Sequence, residues 1–176
     1  MDSSDFFGFC ASRSSVREYD NEPLAEEDVA YILKCAGTAP SAGNLEAWDV
    51  IVVTDEATRG ALAEAAFSQE HVERAPVIFV VCSNYVRSMS RYGERGILYG
   101  LEDATIACTY MMLAAHAKNL QSCWTGAFDD DEVREILSLP QHIRPVSLLA
   151  VGKGHAPAQH TDRMGIGEHV HRETWG

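Results

Sequence analysis

The stretch that decides the fold is residues 101–118, which read LEDATIACTYMMLAAHAK. It is the strongest helix prediction in the chain, and apolar residues such as Ile106, Met111 and Leu113 occur almost all round the helix. A helix with that distribution has to be buried. Its many alanines would allow a neighbouring backbone or a second subunit to approach closely, although the filling of one large core also explains them.

Shorter helices and strands alternate along the rest of the chain. Runs of β-branched residues bounded by turn residues predict buried strands, and apolar residues at helical spacing predict helices. The predicted strands are residues 48–53, 77–82, 146–151 and a short stretch near 123–125, and the further predicted helices are residues 5–12, 25–36, 55–66 and 130–138. These elements indicate an α/β or α+β sheet protein, whose strand order the pattern leaves open.

The segment from residue 83 to residue 99 is predicted to be irregular. It carries several tyrosines and arginines, among them Tyr85, Arg87, Arg91 and Tyr92. Two interpretations remain open, a mobile lid and a solvated connection between a strand and the 101–118 helix. The connection is favoured, because loops connect elements more often than they gate a site.

Composition and charge indicate one folded, soluble domain. The 176 residues are 46% hydrophobic and 23% charged, and a domain of this length buries roughly 70% of the surface of its unfolded chain. The formal net charge of −12 disfavours nucleic acid and anionic membranes as partners, since both attract an excess of Lys and Arg. The acidic start does not resemble a secretory signal, and no apolar run is long enough to span a bilayer, so we expect a cytoplasmic protein.

The cysteines and histidines give no sign of a metal site. The five cysteines lie far apart without a C-x-x-C pair, and most sit in apolar segments, so they are predicted to be reduced core residues. His169 and His171 would share one face of a strand, but a metal site needs more ligands with suitable geometry. We therefore expect no metal.

A short basic run is the first candidate for chemistry. Arg13-Ser14-Ser15-Val16-Arg17 offers two guanidinium groups and two hydroxyls within five residues. Charge-assisted hydrogen bonds contribute roughly 1.5 to 3 kcal/mol each, so a few of them would hold a phosphate monoester despite the acidic surroundings. By itself the run is equally compatible with a solvated surface.

A turn-rich loop is the second candidate. Pro40-Ser41-Ala42-Gly43-Asn44 offers an amide side chain and backbone groups after a helix, which suits the edge of a planar heterocycle. The sequence contains no G-x-x-x-x-G-K-[ST], G-x-G-x-x-G, G-x-S-x-G or H-E-x-x-H motif, so several common nucleotide, hydrolase and metal sites are excluded.

The order of these segments resembles the nitroreductase family of FMN enzymes, from about residue 6 to the C-terminus. The 12–17 run resembles the S-R-R-S-x-R start, and the 40–48 loop resembles P-S-x-x-N-x-Q-P-W. Asp103 opens a helix similar to the central helix of the family, residues 123–126 match its glycine-ended strand, and residues 150–153 look like the segment that closes the phosphate site. Each motif is weak alone, whereas the ordered set is specific.

The resemblance implies a fold and an assembly. The fold is an α+β, nitroreductase-like three-layer arrangement with a central mixed β-sheet flanked by helices, forming a single domain over residues 1–176. The assembly is an intertwined homodimer with two FMN molecules at the interface. A C-terminal arm, residues 154–176, would dock on the partner subunit and add a strand, which would give Val170 and Trp175 a role.

The resemblance also implies a role for each matching residue. The FMN phosphate would be surrounded by Arg13, Ser14, Ser15, Gly152, Lys153 and Arg163. Arg17 would reach toward the ribityl chain and the pyrimidine edge. Pro40, Ser41 and Asn44 would line the isoalloxazine, and a backbone donor near Thr125 or Gly126 would approach its hydride-accepting nitrogen.

The implied reaction needs no catalytic acid or base from the protein, because the flavin carries the chemistry. NADH or NADPH would donate a hydride, leave, and be replaced by a small electron acceptor such as a quinone or a nitroaromatic, in a ping-pong cycle.

Several positions depart from the family pattern. Ser14 replaces a basic residue, Glu46 and Ala47 replace the usual Gln and Pro, and Thr109 and Tyr110 replace an amide-bearing pair. Two alternatives therefore stay open. One is a flavoenzyme of the same fold with another donor or reaction, such as dehalogenation or flavin cleavage. The other is a non-enzymatic FMN-binding module.

Overall fold

A single antiparallel sheet organises the residues that the computed structural model describes, which are 2–20, 22–155 and 162–175. Its strands are β1 (Trp48–Val53), β2 (Val77–Asn84), β3 (Gln121–Thr125) and β4 (Ile143–Gly152), in the spatial order β1-β2-β4-β3. Each neighbouring pair is antiparallel. Parallel pairing within the described residues is confined to an isolated bridge between Ser15 and Ser122, so the predicted mixed character of the sheet rests on that bridge alone.

Helices cover both faces of the sheet, because the central strands are apolar on both sides. In β2, Ile78 and Val80 face one core, whereas Phe79 and Val81 face the other. The first core lies under α3 (Glu56–Ala65), α4 (Glu70–Arg74) and α7 (Asp130–Ile136), and the second lies under α2 (Glu26–Ala36) and α6 (Arg95–Ala117). The predicted α+β class and its three layers are confirmed.

The long helix α6 is buried on one face only. Residues including Ala104, Ala107 and Met111 pack on the sheet, while Leu98 and Leu101 are exposed. The prediction of a helix is therefore confirmed, and among the described residues its predicted burial holds for the face that packs on the sheet. A helix that is apolar on every side needs neighbours on every side, and this chain supplies them on one.

The 83–99 segment is helical, so its prediction as irregular is wrong. β2 continues to Asn84, α5 spans Tyr85–Tyr92, and α6 already begins at Arg95. Glycines at 93, 96 and 100 favour a loop in the sequence, yet two of them serve helix packing. A Cβ on Gly96 would lie 2.6 Å from Met89 Cα, and one on Gly100 would lie 2.7 Å from Ser83 Oγ. The glycines let α5 and α6 pack backbone to backbone.

The ends of the described chain contact the core very little. α1 (Ser3–Ser12) has no buried residue, and Phe9 stacks on His116 at 4.7 Å between ring centroids. Residues 162–175 contain one turn of 3₁₀ helix, Ile166–Glu168, and are exposed throughout. No helix among the described residues combines the length and the apolar character needed to cross a bilayer.

The cysteines are free thiols, as the sequence predicted. Cys82, Cys108 and Cys123 are buried and Cys35 is half-buried, whereas Cys10 on α1 is exposed. Burial raises the pKa of Cys82 and of Cys108 to about 12, so both behave as small apolar side chains at neutral pH.

The close packing of α5 on α6 predicts opposite effects for two glycine substitutions. Gly96→Ala should lower the free energy of unfolding by about 1–3 kcal/mol, because the new methyl group overlaps the α5 backbone. Gly60→Ala in α3 has open space around its Cβ, so helix propensity should raise the stability by up to about 1 kcal/mol. Urea denaturation measures both, and a change of the same sign in both variants would contradict the packing described.

Candidate functional site

The basic run, residues 13–17, is hydrogen-bonded along the β3 edge of the sheet. Val16, which is 1% exposed, donates its backbone N–H to the Ser122 carbonyl at 3.0 Å. Farther along, the Tyr19 hydroxyl lies 2.8 Å from the Val16 carbonyl and 3.2 Å from that of Ala150. The Asp20 N–H donates to the Lys153 carbonyl at 2.9 Å. The structure therefore brings residues 13–17 next to the C-terminal end of β4, where Gly152 and Lys153 lie.

The positive charges of the run affect the pKa values of two buried groups, one on β3 and one on α4. Burial raises the pKa of the Cys123 thiol, and the charges of Arg17 and Arg13 oppose that rise. Burial and, secondarily, the charge of Arg17 lower the pKa of His71, so this imidazole is neutral at pH 7. Both positive charges thus act on Cys123 of β3, in a chain that is strongly acidic overall.

Ser14, which lies between the two arginines in the sequence, has an unsatisfied hydroxyl. Its Oγ is buried and has no hydrogen-bond partner among the described residues. A buried polar atom without a partner costs about 1–3 kcal/mol, so such atoms generally mark a strained site or the place of a missing ligand. Next to two arginines, this hydroxyl suits an oxygen of an anion.

Gly152 and Lys153, which are predicted to lie near the phosphate, each have contacts within the chain. A Cβ on Gly152 would lie 2.7 Å from Pro76 Cδ and 2.9 Å from Tyr19 Cδ1, so the glycine is required for packing. Lys153 Nζ is 2.5 Å from Glu22 Oε2, and that carboxylate raises the lysine pKa while partly neutralising its charge. Arg163 is exposed and forms no hydrogen bond or ion pair with another described residue.

The 40–48 loop has an unusual backbone. Gly43, Asn44 and Glu46 have positive φ angles of 60°, 57° and 48°, a conformation that most side chains disfavour. Ser41 Oγ accepts the Glu46 N–H at 3.0 Å, and Asp103 of α6 accepts two further N–H groups of the loop. Asn44 and Pro40 stay exposed, so their groups are available to a ligand.

The end of β3 holds the remaining predicted residues. Gly126 is exposed, and Thr125 is buried with its Oγ1 2.7 Å from His71 Nε2. Sequence reasoning missed His71, because it lies in the five-residue α4, and nothing in the sequence pairs it with Thr125. This contact fixes the side chain that precedes the exposed Gly126 backbone.

The structure groups the predicted residues into two sets. Residues 13–17, 125–126 and 152–153 lie at the β3 side of the sheet, whereas the 40–48 loop leads into β1 at the opposite edge. Three strand spacings separate β1 from β3, roughly 14 Å across the sheet.

Known proteins share both the sequence and the fold. The Nitroreductase family model matches residues 10–73 and 65–153. An NADH dehydrogenase of Thermus thermophilus is 34% identical over 168 residues, covering 80% of this chain and 82% of its own. An FMN reductase [NAD(P)H] of Bacillus subtilis is 30% identical over 152 residues, covering 78% of this chain and 61% of its own.

Among solved structures, that of B. megaterium NfrA2 is similar with a TM-score of 0.91 at 26% identity, covering all of this chain and 76% of the other. The matched residues contain the basic run, the 40–48 loop and the strands that position them. The chain therefore belongs to the nitroreductase family.

Proposed function

We propose that this protein is an FMN-dependent oxidoreductase that passes reducing equivalents from NADH or NADPH to a small organic acceptor. The observation that carries the proposal is the buried Ser14 hydroxyl, which has no hydrogen-bond partner among the described residues and lies between Arg13 and Arg17 in the chain. This group of donors suits a phosphate monoester, which FMN has. An FMN reductase among the relatives agrees with that choice of ligand.

The fit to FMN divides the work among the chain's own residues. Arg13, Ser14 and Ser15 would bind the phosphate, with Arg17 nearer the ring, and the Gly126 backbone would face the cofactor. When bound, FMN supplies hydride acceptance and donation. Lys153 adds less than the resemblance implies, because Glu22 already pairs with it.

We further propose a homodimer in which each cofactor site takes residues from both subunits. The two sets of site residues lie at opposite edges of the sheet. This favours a site in which one set from each subunit meets across an interface. Apolar groups are also left uncovered: Phe7 on α1 is 75% exposed, Leu101 on α6 is 42% exposed, and Trp175 in the tail is 88% exposed. Large exposed apolar side chains on these elements are what a protein interface would cover.

We also propose a role for the C-terminal arm and a cellular compartment for the protein. Residues 1–176 form one domain, and residues 154–176 form the arm that docks on the partner subunit. Support comes from Met164, Ile166 and Val170, which are exposed and belong to neither core of the described residues. The free thiols are compatible with a reducing, cytoplasmic compartment.

The function predicts a colour change. Protein loaded with FMN should absorb near the visible flavin bands and lose that absorbance anaerobically when NADH or NADPH is added. Adding a quinone or a nitroaromatic should then restore it. A stable yellow complex that neither nicotinamide bleaches would favour the alternative donor or reaction, and a protein that refuses FMN would contradict the proposal.

The phosphate site predicts a large loss of affinity in one arginine variant. Arg13→Ala should weaken FMN binding roughly 10- to 100-fold, the loss of one charge-assisted hydrogen bond of about 1.5–3 kcal/mol. Arg74→Ala removes the same charge from an exposed pair with Glu70 and should leave the dissociation constant unchanged. Fluorescence quenching of FMN measures both, and equal affinities for wild type and Arg13→Ala would place the phosphate elsewhere.

The shared site predicts complementation between two defective chains. Arg13→Ala and Asn44→Ala each weaken both sites of a homodimer. A heterodimer of the two variants should recover one intact site, so about one FMN per dimer should bind with wild-type affinity. The two variants carry different tags, and purification on both tags isolates the mixed dimer, whose FMN binding is then measured. A dimer of two differently tagged Arg13→Ala chains is the control. A monomeric protein, or a mixed dimer without a tight site, would contradict a shared site.

A further inference from the structure

The backbone of the 40–48 loop is held from two directions by the α5 and α6 helices. On one side, Asp103 of α6 accepts the Ala42 N–H at 2.8 Å with Oδ1 and the Ala47 N–H at 3.1 Å with Oδ2. One carboxylate therefore joins the beginning of the turn to its end. Because Asp103 is 1% exposed, water does not compete for these bonds.

The opposite side of the loop is held through its carbonyl groups. Arg91 of α5 donates to the Gly43 carbonyl at 3.4 Å, and Arg87 donates to the carbonyls of Glu46 and Trp48, at 3.3 Å for Trp48. Arg87 also pairs with Asp49 at 3.1 Å. The 83–99 segment, expected to be a connection or a lid, thus contributes two arginines that hold the loop through its carbonyl groups. We call Asp103, Arg87 and Arg91 together the clamp.

The clamp maintains a backbone conformation that Glu46 does not favour. Gly43 and Asn44 adopt positive φ angles readily, but Glu46 also has a positive φ angle of 48°, and such a residue persists only where its surroundings determine the backbone. The same turn carries Ser41 and Asn44, the side chains that would meet the flavin. Its geometry therefore depends on a residue that lies beneath it and away from any ligand.

We propose that Asp103 is a positioning residue of the cofactor site, which fixes the 42–47 turn so that Ser41 and Asn44 are already placed for the flavin ring. The proposal rests on the proposed function. Its physical basis is preorganisation, since a loop ordered before binding does not spend binding free energy on its own ordering. Asp103 acts through the loop and does not touch the cofactor.

A role limited to fold stability gives different results from a positioning role. Loss of stability alone lowers the melting temperature and leaves the folded fraction with normal FMN affinity. Loss of positioning leaves a folded protein whose 42–47 amides exchange faster and whose FMN dissociation constant rises. The two readouts are measured well below the melting temperature of each variant.

The test compares Asp103→Asn with Asp55→Asn. Asn keeps one acceptor and presents an amide donor to the other N–H, so one bond is lost. Asp55 caps α3 by accepting the Thr58 N–H at 2.9 Å, at the far end of β1 from the loop, and serves as the matched carboxylate. Asp103→Asn should raise amide exchange of residues 42–47 and weaken FMN binding about tenfold, whereas Asp55→Asn should change neither.

A double-mutant cycle identifies the loop as the route of the effect. In a chain that already carries Ser41→Ala and Asn44→Ala, Asp103→Asn should weaken FMN binding by less than about twofold, because the groups it positions are gone. Fully additive losses of affinity would overturn the proposal, as would unchanged exchange of the 42–47 amides. If Asp103→Asn does not fold, Asp103→Glu, which keeps the charge but displaces the oxygens, takes its place in the same measurements.

The outcomes separate this proposal from the proposed function. A wild-type protein that binds no FMN overturns the proposed function and the cofactor part of this inference together. Amide exchange still decides whether Asp103 orders the turn. FMN binding that is normal in Asp103→Asn, with bleaching by nicotinamide intact, overturns the positioning role while leaving the function in place.

Discussion

The burial of both faces of β2 and β4 is the constraint on which the rest of the structure depends. Alternate side chains of these strands enter two separate cores, so helices have to cover the sheet on both sides. The helices α2 and α6 form one layer, and α3, α4 and α7 form the other. Since the centre of the sheet is fully covered, a ligand has access mainly at its edges, where the predicted site residues lie.

The β3 and β1 edges of the sheet carry different groups. At the β3 edge, a backbone pairing to Ser122 and the hydroxyl of Tyr19, which donates to the Val16 carbonyl, hold the backbone of the basic run against the strand. At the β1 edge, a buried carboxylate and two arginines hold a loop with a left-handed backbone. The arginines and hydroxyls of the basic run lie at the first edge, and the exposed Asn44 lies at the second. A ligand with a phosphate and a planar ring needs both kinds of surface.

Much of the fold follows from local sequence pattern. β1 has the predicted bounds, and α2 begins one residue later than expected. β2 extends two residues further at its C-terminal end, and β4 extends three residues further at its N-terminal end and one at its C-terminal end. These elements are strongly apolar and are bounded by turn residues, so local pattern and tertiary packing agree. The failures are α4, which is too short to show a period, and the segment of α5 and the start of α6, where Gly93, Gly96 and Gly100 are typical of a loop although Gly96 and Gly100 allow close helix packing.

In the candidate site, too, some features follow from local sequence and others from tertiary packing. The sequence by itself determined which segments hold the arginines, the hydroxyls and the turn, because charge, hydrogen-bonding capacity and turn chemistry belong to individual residues. Only the tertiary structure decided that Glu22 pairs with Lys153, that His71 contacts Thr125, that Ser14 lacks a partner and that Asp103 spans the loop. These contacts join residues far apart in the chain, and the packing of helices on the sheet brings them together.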